Sequence, residues 1–187
     1  FSNNFEPEIL HAARRVLEAA GHRVAVAWPT IGARALCCGR TYLATGQVDK
    51  AKQEAMRLLQ ALVPFVAKGV PVIGLEPSCL FTLRDEFLAM GLGEEADAVA
   101  KNAFLFEEFL VHEKKAGRLK LDLKPLAEKS ALLHGHCHQK AFGAMSAVQE
   151  ALALVPDLAV SPIESSCCGM AGSFGYEAEH YETSIAM

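Results

Sequence analysis

The tripeptide Cys-Cys-Gly occurs twice in this chain of 187 residues, as Cys37-Cys38-Gly39 and Cys167-Cys168-Gly169. The two copies lie 130 residues apart and hold four of the six cysteines. Two neighbouring thiols followed by a glycine place adjacent soft metal ligands on a tight turn. Buried cysteines that act as small apolar residues would explain one copy. The second copy in a similar setting favours a metal or redox site.

Apolar strands alternate with helices along the whole chain. The patterns of the first half predict helices over 8–20, 47–68, 80–90 and 94–115, and strands over 24–27 and 70–75. Those of the second half predict a helix over 139–155 and strands over 131–133 and 158–163. Alternation of this kind is typical of parallel sheets covered by helices. The sequence therefore predicts an α/β fold of two pseudo-repeated halves, residues 1–125 and 126–187, each a small parallel sheet covered by helices.

Composition excludes several classes of protein. With 51% hydrophobic and 21% charged residues the chain is globular, and its net charge of −4 gives no support for nucleic acid as a partner. The longest apolar region, 61–75, is interrupted by Pro64, Lys68 and Pro71, so no transmembrane segment is predicted. Six cysteines in a chain this long fit a reducing cytoplasm better than a secreted disulfide framework.

The possible ligands of a first site are Cys37, Cys38 and Cys79. Cys79 lies where a predicted strand passes into a helix, and backbone N–H groups at a helix start favour thiolate over thiol. Glu76 precedes it by three residues, so its carboxylate is either a fourth, harder ligand or an exposed charge that caps the turn. Arg40 and Arg84 are candidates to offset the negative charge of thiolates, or are ordinary surface arginines.

The possible ligands of a second site are Cys137, Cys167 and Cys168. Cys137 stands among alternating histidines, His134, His136 and His138, which would share one face of an extended backbone. Such histidines could bind zinc, shuttle protons or hydrogen-bond an anion, or they form a polar turn at a strand end. We therefore treat His136 and His138, like Glu76, as additional candidate metal ligands.

At these residues the chain resembles the cysteine-rich CCG domain of FAD-linked oxidases and iron–sulfur oxidoreductases. The resemblance covers essentially the whole chain. It rests on segments 4–8, 36–40, 74–79, 134–140 and 166–172. The family pattern has, in each of two repeats, a leading Cys, then Cys-Cys-Gly, then Cys-x-x-Cys.

This chain departs from the family pattern in both repeats. The first repeat lacks the leading Cys and has Glu76-Pro77-Ser78-Cys79 in place of Cys-x-x-Cys, whereas the second has Cys137 as leader. Its own Cys-x-x-Cys is expected beyond Met187, which makes the second repeat truncated. The resemblance implies a [4Fe-4S] cluster at these cysteines, more firmly at the second site, or zinc, or an empty site in the isolated fragment. FAD is expected only in a missing upstream part.

The resemblance implies a function for the chain. It predicts an electron-transfer domain of a flavin-dependent oxidoreductase acting on 2-hydroxy acids such as D-lactate, glycolate or 2-hydroxyglutarate, with the fragment alone inactive. A flavin-containing module or subunit and an electron acceptor are the expected partners, and the cytoplasm, with peripheral attachment at the inner membrane through partners, is the expected location. The alternative is a zinc-binding or metal-free assembly module that docks a partner subunit.

Overall fold

Each half of the chain holds one two-stranded parallel sheet with helices around it. The computed structural model describes residues 2–29, 34–165, 168–170 and 174–187. The chain divides into two units, of which the first ends at Asp122 and the second is Leu123–Met187. The α/β prediction is confirmed, whereas the boundary predicted after residue 125 stays a prediction.

Most elements belong to the first unit. Its helices are α1 (Ser2–Phe5), α2 (Pro7–Ala19), α3 (Arg40–Ala44), α4 (Val48–Val66), α5 (Pro77–Arg84), α6 (Glu86–Ala89), α7 (Glu94–Lys101) and α8 (Phe106–Lys115). Its strands are β1 (Val72–Gly74) and β2 (Ala103–Leu105). The second unit contains β3 (Ser130–Leu133), α9 (Cys137–Ala141), α10 (Met145–Leu152), β4 (Ala159–Pro162) and α11 (Tyr181–Ala186).

The core of the first unit forms where the apolar face of α4 meets α5, α6 and α7. Amphipathic spacing along α4 buries Ala55, Leu59 and Leu62, which belong to one cluster with Phe87 and Val99. β1 pairs with β2 in parallel, with Val72 opposite Ala103. Among the described residues, no helix is long and apolar enough to cross a membrane.

The strand predicted over 24–27 is wrong. These described residues have no strand conformation, and the sheet of the first unit contains β1 and β2 alone. Their side chains line an apolar cavity of about 320 Å³ together with α2, α4 and residues 70–75. Alternating valine and alanine give this segment the composition of a strand. It does not form the hydrogen bonds to a neighbouring strand that define one.

Three predicted helices are interrupted in the structure. The helix predicted over 94–115 contains strand β2. α7 ends at Lys101, and the carbonyl of its C-cap residue Asn102 accepts a hydrogen bond from the Val72 N–H at the start of β1. The helix predicted over 80–90 breaks at Asp85, between α5 and α6. The one predicted over 139–155 breaks near Gly143, which has a positive φ of 68°. Local turns and strand pairing thus override helical periodicity.

A buried carboxylate secures the end of α8. Glu113 is only 5% exposed and accepts hydrogen bonds from Arg118 Nε and Nη2, at 3.1 and 2.5 Å. The hydrogen bond from Arg118 lowers the pKa of Glu113 below its usual 4.5 despite the burial, and His112 adds to the effect. The ion pair therefore stabilises the fold above pH 4.5 and loses that contribution as pH falls through the lowered pKa.

Replacing this arginine tests the ion pair. Arg118→Gln should lower the urea midpoint at about pH 7, and the difference from the parent chain should shrink as the pH falls through the lowered pKa of Glu113. Arg14→Gln is the matched control, because Arg14 forms an exposed pair with Glu18 and exposed pairs contribute little. Equal midpoints for the parent and Arg118→Gln at about pH 7 would refute the assignment.

Candidate metal centre

The first Cys-Cys-Gly forms a turn that leads directly into α3. Gly39 has a φ of +82°, a backbone conformation that residues with a Cβ rarely adopt. A Cβ at this position would lie 2.9 Å from the carbonyl oxygen of Ala51 in α4. The Gly39 N–H also points at Cys37, with 3.4 Å between the nitrogen and Sγ. The glycine therefore allows the cysteine turn to pack against the backbone of α4.

α4 also fixes the second cysteine of the motif. Cys38 is 6% exposed and belongs to the core cluster, whereas Cys37 is exposed. Ala51 and Ala55, one helical turn apart on the buried face of α4, are both fully buried. These small side chains leave room for the turn, so the sequence of α4 holds one thiol inside and the other at the surface.

Cys79 lies in the first turn of α5, two residues after Pro77, which begins that helix. Glu76 is the N-cap residue, and its Oε1 accepts hydrogen bonds from the Ser78 N–H, at 3.1 Å, and from the Ser78 hydroxyl. The structure therefore favours the capping interpretation of Glu76 over the ligand interpretation.

The thiol of Cys38 interacts with the thiols of both Cys37 and Cys79, and these interactions shift the pKa values of all three. The interaction with Cys38, together with burial, raises the pKa of Cys37 above its ordinary 9.0. The interaction with Cys37 lowers the pKa of Cys38, but the interaction with Cys79 and burial outweigh it and raise the value to about 11. The interaction with Cys38 lowers the pKa of Cys79. Negative charge is thus favoured at Cys79, where helix N–H groups also stabilise an anion.

Arg40 and Arg84 have carboxylate partners. Arg40 Nη1 pairs with Glu86, and Arg84 Nη1 lies 2.7 Å from Glu108 Oε2. Each arginine is therefore neutralised by one acid. The idea that these two arginines offset thiolate charge is not supported by their contacts.

The second Cys-Cys-Gly shares a backbone feature with the first. Gly169 has a φ of +77°, and a Cβ there would lie 2.3 Å from the carbonyl oxygen of Ser184 in α11. In both motifs, then, the glycine is left-handed and packs against a helix that follows it. Cys168 is exposed and Cys167 lies outside the described residues, so the convergence of Cys137, Cys167 and Cys168 stays a prediction.

The histidines around Cys137 lie at a helix start rather than along an extended backbone. His136 is the N-cap of α9, and its Nδ1 accepts a hydrogen bond from the His138 N–H at 3.1 Å. An accepting Nδ1 leaves the proton of a neutral imidazole on Nε2, so capping competes with metal ligation. The rings of His136 and His138 stack, with centroids 5.2 Å apart, while His134 Nδ1 lies 3.1 Å from Ser165 Oγ.

Two clusters of potential ligands in the described part of the chain have all their donor atoms within 4.8 Å of one another. One is His136-Cys137-His138, and the other is the exposed group Glu177-Glu179-His180. The three thiols of the first unit do not form a cluster that tight. They are linked through Cys38 in the middle, with Cys37 and Cys79 on either side.

Comparison with known families supports the assignment of the cysteine turn. Residues 1–84, which include Cys37, Cys38 and Cys79, match the family described as CCG, cysteine-rich domain. The resemblance seen in the sequence is confirmed over this range.

Relatives of the chain include a subunit of one dehydrogenase and longer proteins named as another dehydrogenase. It is 31% identical over its whole length to a subunit of the anaerobic glycerol-3-phosphate dehydrogenase of Escherichia coli (strain K12), and it covers 46% of that protein. It is 26% identical to the D-2-hydroxyglutarate dehydrogenase of the same organism, over 80% of the chain and 14% of that enzyme. The chain is 27% identical to the Pseudomonas putida enzyme of that name, over 98% of the chain and 17% of that enzyme. The chain thus spans less than half the length of these relatives, and no solved structure matches it.

One buried acid of the first unit was not predicted from the sequence. Glu54 is 4% exposed in α4, with Arg34 and Arg57 as partners. Its position in the sequence could have indicated the burial, because Glu54 lies between Ala51 and Ala55 on the helix face that the apolar periodicity assigns to the core.

The opposite pKa shifts of Cys37 and Cys79 predict the order in which these thiols react with iodoacetamide. In the metal-free protein near pH 7, Cys79 should be alkylated before Cys37 although Cys37 is more exposed, because the thiolate is the nucleophile. Cys38→Ala removes the group that lowers the pKa of Cys79 and should slow its alkylation severalfold, whereas Cys38→Ser keeps a polar hydrogen in its place and should preserve the rate. Mass spectrometry of the peptides measures both rates, and faster labelling of Cys37 in the parent chain would contradict the order.

Proposed function

We propose that this chain is the electron-transfer part of a dehydrogenase, with an iron–sulfur centre bound by Cys37, Cys38 and Cys79. The observation that carries the proposal is the group of three interacting thiols, Cys37, Cys38 and Cys79, within residues that match the CCG cysteine-rich domain. The relatives are a subunit of one dehydrogenase and two proteins named D-2-hydroxyglutarate dehydrogenase, which supports a role beside a catalytic module.

The donors of the first unit fit such a centre. Thiolates are the ligands of iron–sulfur clusters and of zinc. A single zinc ion would hold its sulfur ligands about 3.8 Å apart, given Zn–S bonds of about 2.3 Å. The three thiols do not all lie within 4.8 Å of one another, so a single zinc ion would require them to draw together. Since Glu76 caps α5, we assign three protein ligands and no carboxylate.

The residues of the chain have distinct tasks in this proposal. Cys38 is a buried ligand shielded from water by α4, whereas exposed Cys37 lies on the side from which a partner can approach. Cys79 carries the first negative charge, and Cys37 and Cys38 must each release a proton when metal binds. When bound, an iron–sulfur centre supplies one-electron transfer.

The catalytic step belongs to another part of the assembly. We propose that a flavin-containing module oxidises a 2-hydroxy acid such as D-lactate, glycolate or 2-hydroxyglutarate, and that this chain passes the electrons to an acceptor. The D-2-hydroxyglutarate dehydrogenase relatives support this substrate class. A second centre at Cys137, Cys167 and Cys168, with His136 and His138 beside Cys137, is proposed from the repeated motif and the shared conformation of its glycine.

Anaerobic reconstitution tests the proposed function. The chain is incubated with ferrous iron and sulfide or, separately, with zinc, and the bound metal is measured beside the visible and EPR spectra. We expect bound iron with a broad visible absorption and an EPR signal after reduction, and no oxidation of D-lactate by the chain alone. Uptake of zinc without iron would favour the assembly module, and turnover of D-lactate would place a catalytic site within the chain.

A further inference from the structure

An ion cluster around one buried carboxylate supports the backbone that leads to the first cysteine turn. Glu54 accepts hydrogen bonds at both carboxylate oxygens, from Arg34 Nη2 at Oε1 and from Arg57 Nη1 at Oε2, the latter at 2.7 Å. Burying an unpaired carboxylate would be costly, so the two guanidinium groups are required partners. We call these three residues the Glu54 cluster.

Arg57 connects this cluster to the main chain before the cysteines. Its Nη2 donates to the carbonyl of Arg34 at 2.7 Å, and its Nη1 also lies 3.4 Å from the carbonyl of Ala35. Residues 34–39 form neither helix nor strand. A side chain from α4 therefore supplies hydrogen bonds to carbonyl groups that regular structure would otherwise satisfy.

The Glu54 cluster also leaves positive charge beside the cysteines. Its one carboxylate and two guanidinium groups sum to a net charge of +1, whereas Arg40 with Glu86 and Arg84 with Glu108 each sum to zero. Both Arg34 and Glu54 lie close enough to Cys37 for their charges to act on it. Thiolate ligands are anionic, so a nearby cationic surplus stabilises the bound and reduced forms of a centre.

We infer that the Glu54 cluster positions the Cys37-Cys38 turn and tunes the charge at the metal centre, a role that rests on the proposed function. Arg57 acts through the backbone, and Arg34 and Glu54 act through charge. Lysine could not replace Arg57, because a single ammonium group lacks the planar fork that reaches a carboxylate and two carbonyls.

Cobalt affinity tests the positioning role in the whole chain. Co²⁺ is titrated into the metal-free parent chain and variants, and thiolate-to-cobalt absorption reports binding. Arg57→Gln should weaken Co²⁺ binding by about 10–100-fold, the usual cost of losing an outer-shell partner, and Arg57→Lys should not restore it. Arg14→Gln is the control, since Arg14 pairs with Glu18 on α2. Far-UV circular dichroism establishes that each variant is folded.

The reduction potential of the reconstituted chain tests the tuning role. Glu54→Gln should raise the potential and Arg34→Gln should lower it, because the first removes a negative and the second a positive charge. A purely structural cluster would not give shifts of opposite sign, and Arg34 is exposed enough for its variant to fold. A parent chain that binds no Co²⁺ would overturn the proposed function itself. The inference alone would be overturned by a different result, in which the parent chain binds Co²⁺ but the variants behave like the control. In that case Arg57→Gln and Arg34→Gln would have the same Co²⁺ affinity and the same reduction potential as Arg14→Gln.

Discussion

Gly39→Ala is expected to destabilise the first unit by about 2–4 kcal/mol and to abolish metal uptake by its three thiols. Part of the loss comes from the φ of +82°, which a residue with a Cβ adopts only with strain. The rest comes from the contact with the Ala51 carbonyl, which is main chain of α4 and cannot move aside as a flexible side chain would. Urea unfolding and iron content after reconstitution measure the two effects.

Gly46 offers a matched control for this prediction. It has a similar φ of +73°, yet nothing lies within 4 Å of a Cβ built on it. Gly46→Ala should therefore lose only the conformational part, about 1 kcal/mol, and should keep its iron. If both variants lost the same stability and both retained iron, close packing of the cysteine turn against α4 would have no importance for the centre.

Cys79→Ser is expected to lower metal affinity of the first unit by more than about 100-fold, because a serine hydroxyl is a poor ligand for iron or zinc where a thiolate is a strong one. The substitution removes the thiol on which negative charge is most favoured. It should cost little stability, since the change is nearly isosteric and Cys79 is only partly buried. Iron per chain and Co²⁺ titration provide the measurements.

Glu76→Gln is the control that separates capping from ligation. The amide oxygen of glutamine can still accept the Ser78 N–H hydrogen bond, so α5 and metal affinity should both be preserved. A loss of affinity as large as that of Cys79→Ser would instead make Glu76 a fourth ligand and contradict the three-thiolate assignment.

Periodic apolar residues made the long elements predictable from sequence. The helices predicted over 8–20 and 47–68 correspond to α2 and α4, whose burial depends on spacing within one element. Strand β2 was missed because Ala103–Leu105 is a strand only through its pairing with β1, and the local pattern there is helical. Residues 24–27 show the converse, with strand-like composition and no ladder partner in the described structure.

In the candidate site too, features that depend on local sequence were predictable, whereas features that depend on tertiary contacts were not. The cysteines were predictable because a tripeptide motif occurs twice, and their roles as ligands stay predictions. The capping roles of Glu76 and His136 depend on helix starts whose positions the sequence left open by several residues. The Glu54 cluster was not predicted, because Arg34 and Glu54 are 20 residues apart and meet only when the loop folds onto α4.

The central claim is that Cys37, Cys38 and Cys79 together bind one redox-active centre. Its most direct test is the EPR spectrum of the reduced chain after anaerobic reconstitution with iron and sulfide, in a variant that has Cys137, Cys167 and Cys168 changed to serine. Only the first unit then provides thiols. We predict bound iron and a cluster signal that disappears when Cys79→Ser is added. Absence of iron from the first variant, or an unchanged signal after Cys79→Ser, would contradict the claim.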